Sequence, residues 1–354
     1  MTSMTSRIPE DCCGCSACAQ TCPRQCIRMI PDSEGFEYPH VDLTACIDCG
    51  LCSLVCPVLK QNTAKTPLQA YAAKNNDEET RRLSSSGGVF TSLAESVLKR
   101  GGVVFGASFD RNWDTVHTYT GNIDGLSAFR GSKYTQSRIG TSYRDAETFL
   151  NEGREVLFSG TPCQIAGLKG FLRKDYSRLF TVEILCHGVP SPKVWQKYLD
   201  GRKKKHHCSR IIRINFRDKG KGWKRYRLVI EFENGKTYAM SHKRDRFLKG
   251  FLKNLYLRPS CYTCKCKNGR SGSDITLADH WNIDKVLPGY NDGRGTSLVL
   301  VNTDKGASLL QSAAARIECI GTGFEECIGR NGGFTENIPV PRGRERFFKK
   351  FNTK

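Results

Sequence analysis

Apolar and polar positions change period several times between residues 68 and 163. Leu68 to Ala73 is a short, mostly apolar run and predicts a strand. The polar stretch SSSGG at 84–88 predicts a loop. Phe90, Leu93, Ala94, Val97 and Leu98 then recur three and four apart, which predicts a helix. Gly102 to Phe109 is a Val-rich strand candidate, and Tyr143 to Asn151 has an amphipathic helical pattern. Glu155 to Ser159 is a short apolar strand running into Gly160-Thr161-Pro162-Cys163. Strand and helix alternate, so this stretch reads as an α/β unit, with KQNTAKTP at 60–67 as the linker before it. No apolar run approaches the roughly 20 residues that span a bilayer. The start, MTSMTSRIPEDCC, lacks a basic-then-apolar signal pattern. The expected location is the cytoplasm, with no membrane span.

The chain of 354 residues has 18 cysteines, and ten of them lie between Cys12 and Cys56. In a reducing compartment such density points to metal rather than to disulfides. Cys12, Cys15, Cys18 and Cys22 form C-x2-C-x2-C-x3-C before Pro23. Cys46, Cys49, Cys52 and Cys56 repeat it before Pro57, 34 residues later. This is the two-cluster ferredoxin spacing, in which the fourth Cys of each run serves the other cluster. The expected 4Fe–4S ligand sets are Cys12, Cys15, Cys18 and Cys56, and Cys46, Cys49, Cys52 and Cys22. Structural zinc prefers paired C-x2-C units across a longer loop and fits less well. Cys13 and Cys26 fall outside the repeat and read as incidental.

Further along, the residues leave alternatives open. A Ser/Gly loop opening a helix can cradle an anion such as a flavin pyrophosphate, or can be a plain N-cap. Cys163, Cys186, Cys261 and Cys264 can be buried apolar thiols or the ligands of another cluster, and Cys266 makes the CYTCKC register ambiguous. Cys208, Cys319 and Cys327 receive no role, and His206 and His207 read as part of a solvated loop. The net charge is +20, and residues 196–270 hold 23 Lys or Arg against 5 Asp or Glu. That segment is either a solvated face or a docking surface for an anionic partner, such as an acidic redox protein. It lacks a nucleic-acid-binding signature, so nucleic acid is not expected. The tail PRGRERFFKKFNTK reads as basic and surface-lying.

SSSGGVFTSLAESVLKRGGVVFGASFD, GSKYTQS, VLFSGTPCQIAGLKGFL, EILCHGVPSPKVW and the span from CYTC to SDITLADHW occur in that order. Together they resemble the coenzyme F420 hydrogenase/dehydrogenase beta-subunit family, with a ferredoxin domain fused in front, over residues 8–335. The resemblance implies a non-covalent FAD, with Ser84, Ser85, Ser86, Gly87, Gly88, Gly131, Ser132, Lys133, Tyr134, Gln136 and Ser137 as contacts. It implies a third 4Fe–4S cluster on Cys163, Cys186, Cys261 and Cys264. It also implies a small organic acceptor or hydride carrier and a ferredoxin-like partner. Relatives include pigment reductases and bacterial proteins associated with exopolysaccharide synthesis. Where relatives usually have an aromatic and then Trp-Gly, this chain has His280, Trp281 and Asn282. No general acid stands out; Lys133 is the charged group expected nearest the flavin, unless it is a surface lysine. The expected fold is α+β: a two-cluster ferredoxin domain (1–60), a flavin-contacting α/β domain (68–150), and a flavin and iron–sulfur domain (151–340). The expected function is a flavin-dependent iron–sulfur oxidoreductase. The alternative is a non-enzymatic subunit that relays electrons to a partner enzyme.

Overall fold

The computed structural model describes residues 10–329, 331 and 333–353, so residues 1–9, 330 and 332 of the expected domains lie outside it. The N-terminal part has two short helices, Ala17–Thr21 and Leu51–Leu54, and an antiparallel pair, β1 (Ile27–Pro31) and β2 (Glu37–Val41), in register Ile27 to Val41. Its core is built mostly of cysteines, with Ile27, Val41 and Val58 closing it.

Eleven more strands follow among the described residues. They are β3 (Gln69–Asn75), β4 (Val103–Phe109), β5 (Thr115–Thr120), β6 (Val156–Gly160), β7 (Leu179–Ile184) and β8 (Ile211–Asp218). After these come β9 (Arg227–Phe232), β10 (Thr237–Ser241), β11 (Ile275–Asp279), β12 (Ser297–Val301) and β13 (Ile317–Thr322). Eight of them form one sheet in the order β13-β3-β12-β11-β7-β6-β4-β5. The β4–β6, β6–β7 and β7–β11 pairs are parallel and the others antiparallel. β3, β4, β6, β7 and β11 therefore all run the same way. β6 and β12 are buried along their whole length, as expected of strands covered on both faces. The sheet takes strands from both sides of residue 150. β8, β9 and β10 make a separate antiparallel sheet. It packs on an aromatic core of Trp195, Phe216, Phe232 and Phe247, which also receives Phe36 from the N-terminal part.

The strands and helices expected around residues 69–160 are present, with the helix at Val89–Lys99 pressing Val89, Leu93, Ala94 and Val97 onto the sheet. Two expectations are corrected. The tail is not simply surface-lying: Arg344–Asn352 is a helix whose Phe348 is buried, and Phe347 packs on Tyr256 at 5.3 Å. Phe347, Phe348 and Phe351 fall on one helical face, and Arg344 anchors that face by pairing with Glu34. His206 is not in a solvated loop either. It is the last residue of the helix Pro192–His206, with its ring stacked on Phe232 at 4.6 Å.

Candidate functional site

The two cysteine repeats share one backbone path. Gly14 (φ 68°) and Ser16 (φ 62°) are left-handed in the first, as are Asp48 (φ 50°) and Gly50 (φ 72°) in the second. In each loop the amide two residues after the first cysteine, Gly14 or Asp48, donates to that cysteine's Sγ, of Cys12 or Cys46, at 3.4 Å. Left-handed residues in such a loop turn successive N–H groups inward, a concavity that suits an anionic cluster. Burial pushes the Cys18 thiol up to about 12, and neighbouring Cys12 and Cys56 push the same way. Cys15 feels Cys18 and Cys56 in turn. The first expected ligand set is thus together. In the second, Cys52 feels Cys49, while Cys26 lies 3.4 Å from Cys22 and is raised by it and by Cys46. Cys26 is therefore packed among this set.

The second thiol assembly is made by the sheet. β6 and β7 are parallel neighbours, so Cys163 and Cys186, just beyond their ends, arrive at one edge. The loop before β11 brings Cys261 to the segment after Cys186: the Val189 amide donates to Cys261 Sγ at 3.4 Å, and the Arg258 amide to Val189 O at 3.0 Å. The Cys186 thiol is pushed well above its usual range by burial, then by Cys261, Cys163 and Cys264. Burial, followed by Cys163 and Cys264, pushes Cys261 up to about 12. All four thiols expected at a third cluster are thus neighbours. Cys13, set aside in the sequence, contacts both Cys15 of the first set and Cys163 of this one. Cys266 is also close, raised by burial and then by Cys163 and Cys264. All 18 cysteines are free. No three His, Cys, Asp or Glu side chains among the described residues surround a single metal-ion position. A cubane instead takes one thiolate at each of four irons, so the thiolates stand further apart.

A chain of hydrogen bonds sets the turn that carries Cys163. The Thr161 amide donates to Gln164 Oε1 at 3.0 Å, and Gln164 Nε2 donates to Ser137 Oγ at 2.8 Å. His117 Nδ1 lies 2.9 Å from Ser137 Oγ, and His117 Nε2 lies 2.9 Å from Ser159 O. A carbonyl only accepts, so Nε2 carries the proton and Ser137 donates to Nδ1. Burial pushes His117 down to about 4, which keeps the ring neutral in this tautomer. Ser137, expected as a flavin contact, is buried inside this network.

The helix Pro162–Leu172 also receives the N-terminal part. A Cβ on Gly167 would stand 2.8 Å from Cys15 Cβ, and one on Gly170 would stand 2.4 Å from Val55 O. Only glycine admits that approach. Beside them, Gln20 Oε1 accepts from the Tyr143 amide at 3.1 Å, and Arg144 Nη2 donates to Gln20 O at 2.6 Å.

The Ser/Gly loops meet on the same edge of the sheet. Ser132 N donates to Ser85 Oγ at 2.7 Å, and the two hydroxyls are 2.8 Å apart. Ser84 Oγ donates to Thr80 O, and Ser86 Oγ to Thr296 O. Gly87 is pressed against the sheet, where a Cβ would meet Ala73 O at 2.4 Å, and Gly88 begins the helix Val89–Lys99. Gly131 (φ 77°) faces open space. Gln136 points to the first cysteine loop, donating through Nε2 to Cys13 O at 3.1 Å. Lys133 Nζ donates to Ala128 O, Arg130 O and Gly131 O. Burial pushes Lys133 down to about 7.

Three family models match this chain. They are a 4Fe-4S dicluster domain over residues 11–59, and the N-terminal and C-terminal models of the coenzyme F420 hydrogenase/dehydrogenase beta subunit over 70–142 and 153–321. The chain belongs to the coenzyme F420 hydrogenase/dehydrogenase beta-subunit family. Its N-terminal segment is 35% identical over 75 residues to a 7Fe ferredoxin of Hydrogenibacillus schlegelii, covering 20% of this chain and 90% of that protein. It is also 35% identical over 52 residues to an uncharacterised protein of Porphyra purpurea, covering 14% of this chain and 69% of that protein. A chain of the xenon-derivatised F420-reducing NiFe hydrogenase complex from Methanosarcina barkeri matches at TM-score 0.51 and 19% identity, covering 82% of this chain and 89% of that one. At that identity the likeness shows the fold alone. With a dicluster domain ahead of the beta-subunit part, this family member is an iron–sulfur electron-transfer protein, and no helix among the described residues is long and apolar enough to cross a membrane.

Within this beta-subunit part, the sequence reading missed the groups that bind the two loops together. Arg217 on β8 is buried and makes a two-pronged pair with Asp279 at 3.0 and 3.1 Å. It also donates to Tyr134 Oη and Ser85 O, both at 3.3 Å. Lys219 Nζ donates to Arg81 O, Ser86 O and Arg294 O. Arg217 Nε and Thr296 Oγ1 are buried beside the loop without a hydrogen-bond partner among the described residues. Asp279 lies inside the quoted SDITLADHW stretch, which was the one signal that could have found it. Nothing separated Arg217 from the other basic residues around it. His280, where this chain departs from its relatives, is fully buried with Nε2 3.2 Å from Cys327 Sγ, while Trp281 stacks on Trp223 at 5.1 Å.

Proposed function

We propose that this family member is a flavin-dependent iron–sulfur oxidoreductase. It would exchange single electrons with a ferredoxin-like partner through three 4Fe–4S clusters, and electron pairs with an organic hydride carrier through FAD. The observation that carries this reading is the meeting, at one edge of the sheet, of Cys163, Cys186, Cys261 and Cys264 with Cys13 and Cys15 of the dicluster part. Ligands of open α/β sheets gather beyond the carboxyl ends of parallel strands, and β3, β6, β7 and β11 all end there. Soft thiolates in this number suit iron–sulfur chemistry. For the flavin, the support is the polar cradle of Ser85, Ser132, Tyr134 and Arg217, with its buried unpartnered donors and the open face of Gly131. A flavin takes electrons singly and passes them on in pairs, which is the conversion such an enzyme needs.

The test is anaerobic reconstitution followed by counting. Twelve irons are expected, about four for each of three clusters, with matching sulfide, and heat release should give FAD rather than FMN. Reduced ferredoxin should then reduce the bound flavin and, through it, a deazaflavin such as coenzyme F420. About eight irons and no flavin would leave only a dicluster relay. That second reading, a relay to a partner enzyme, draws on the dicluster domain alone.

A further inference from the structure

Arg258 is fully buried, yet no described carboxylate forms an ion pair with it. Its Nε donates to Cys12 O at 2.6 Å, Nη1 to Gln136 Oε1 at 3.0 Å, and Nη2 to Glu37 O at 2.9 Å. The guanidinium lies over the Tyr38 ring at 4.2 Å. Every acceptor is neutral. Glu37 feels its charge without pairing with it, and burial raises that carboxyl despite the pull of Arg138 and Arg258. Taking a guanidinium out of water costs several kcal/mol unless an opposite charge offsets it. Buried charges are paired or coordinate metals, so an unpaired one points to an anion outside the polypeptide.

Two such anions are implied on either side. One thiol set begins at Cys12, whose carbonyl Arg258 holds. The other includes Cys261, three residues on, whose amide donates to Arg258 O at 2.9 Å. A 4Fe–4S centre with four thiolate ligands is anionic when oxidised and gains one further negative charge with each electron. Net charge around a cluster is one of the levers on its potential.

We propose that Arg258 is the shared counter-cation of the two centres, on Cys12, Cys15, Cys18 and Cys56 and on Cys163, Cys186, Cys261 and Cys264, and that its charge raises the potential of both. This makes Arg258 a positioning and tuning residue that couples the dicluster part to the beta-subunit part. The inference rests on the proposed reading of these two thiol sets as cluster ligands.

The experiment is an EPR-monitored redox titration of the reconstituted full chain, with iron and sulfide counted on the same samples. In Arg258→Gln both potentials should fall by at least a tenfold change in the reduction equilibrium, 59 mV for one electron. The cluster on Cys22, Cys46, Cys49 and Cys52 should move less. Arg258→Lys keeps the charge and loses the fork, and should stay nearer the wild type. If Arg258→Gln fails to take up iron, Gln136→Glu decides, because it places a carboxylate against Nη1 and should lower both potentials with Arg258 still present. Full clusters with unmoved potentials would overturn the role of Arg258. Wild-type protein lacking the third cluster would instead overturn the ligand reading beneath it.

Discussion

The cysteines of residues 12–56 and those of residues 163–264 are held by different kinds of backbone. In the first region, three thiols of each set lie within seven residues, on a loop whose left-handed positions recur at Gly14 and Asp48 and at Ser16 and Gly50. The proposed ligand set is written into local sequence. In the second, Cys163 and Cys186 hang from the ends of two parallel strands, and Cys261 and Cys264 come from a loop some 75 residues later in the sequence. Only the order of strands in the sheet brings them together. A local site tolerates change in the surrounding fold; an assembled one inherits every displacement of the sheet edge.

The largest effect is expected from changing Cys261 and Cys264 together to Ser. About four irons per chain should be lost, with the ferredoxin-type signals kept, because the eight thiols expected to hold the first region's clusters all lie within residues 12–56. Flavin should remain bound but be reduced slowly by a ferredoxin donor. Unchanged iron content would show that these thiols are not ligands, and loss of all iron would show that the two regions are not independent.

Next is the acid sensitivity of the assembled region. Burial holds His117 at about 4 when folded, against 6.5 when free in the unfolded chain. Between those values the unfolded chain binds the extra proton, so the contribution to stability is complete above pH 6.5 and is lost as pH falls towards 4, by roughly 3 kcal/mol. His117→Gln should flatten this slope in denaturant titrations at pH 7 and pH 5. A slope equal to the wild type would mean that His117 is protonated in the folded chain, and the Ser137–Gln164 relay would lose its assigned tautomer.

The contact between the regions gives a smaller effect. Gly170→Ala puts a methyl group against Val55 O, and overpacking of this kind costs about 1–3 kcal/mol. Iron content should hold while electron passage from the dicluster part slows. Gly201→Ala, in the helix Pro192–His206 with open space around the new methyl, is the contrast and should stabilise by up to about 1 kcal/mol. Equal behaviour of the two variants would remove Gly170 from the contact.

How much of this was legible follows the same division. The dicluster spacing needs no fold to be read, and the strand-to-turn signal at Gly160–Cys163 survives because β6 is short, opens on Val156, Leu157 and Phe158, and is wholly buried. Cys13 looked incidental because its neighbours are Cys15, two residues away, and Cys163, which only docking brings close. Arg217 and Arg258 were two among 23 basic residues of one segment. What sets them apart is burial, and burial comes from β8 and from the bridge between Pro190 and Leu257, which no periodicity announces. The tail misled in the opposite sense: its basic residues hid the Phe347, Phe348 and Phe351 face that docks it.

The burial of Arg217 and Arg258 also sharpens the reading of the basic segment, and it gives the smallest predicted effect. With those two inside, the charge that a partner can meet lies on exposed residues such as Lys204, Lys205, Lys221, Lys243, Arg244 and Lys249. Some others are answered within the chain, as Arg210 is by Glu233 and Arg213 by Glu231, both at 2.9 Å. Exposed charges steer encounter more than they fix affinity, and salt screens them over about 8 Å at physiological ionic strength. Reduction of this protein by an acidic ferredoxin should therefore slow severalfold between low and physiological salt. Lys204→Glu with Lys205→Glu should weaken that dependence while leaving iron content unchanged. A neutral dye, which needs no steering, should reduce both forms at the same rate in any salt. If ferredoxin behaves like the dye, this face is only solvated, and the partner meets the protein elsewhere.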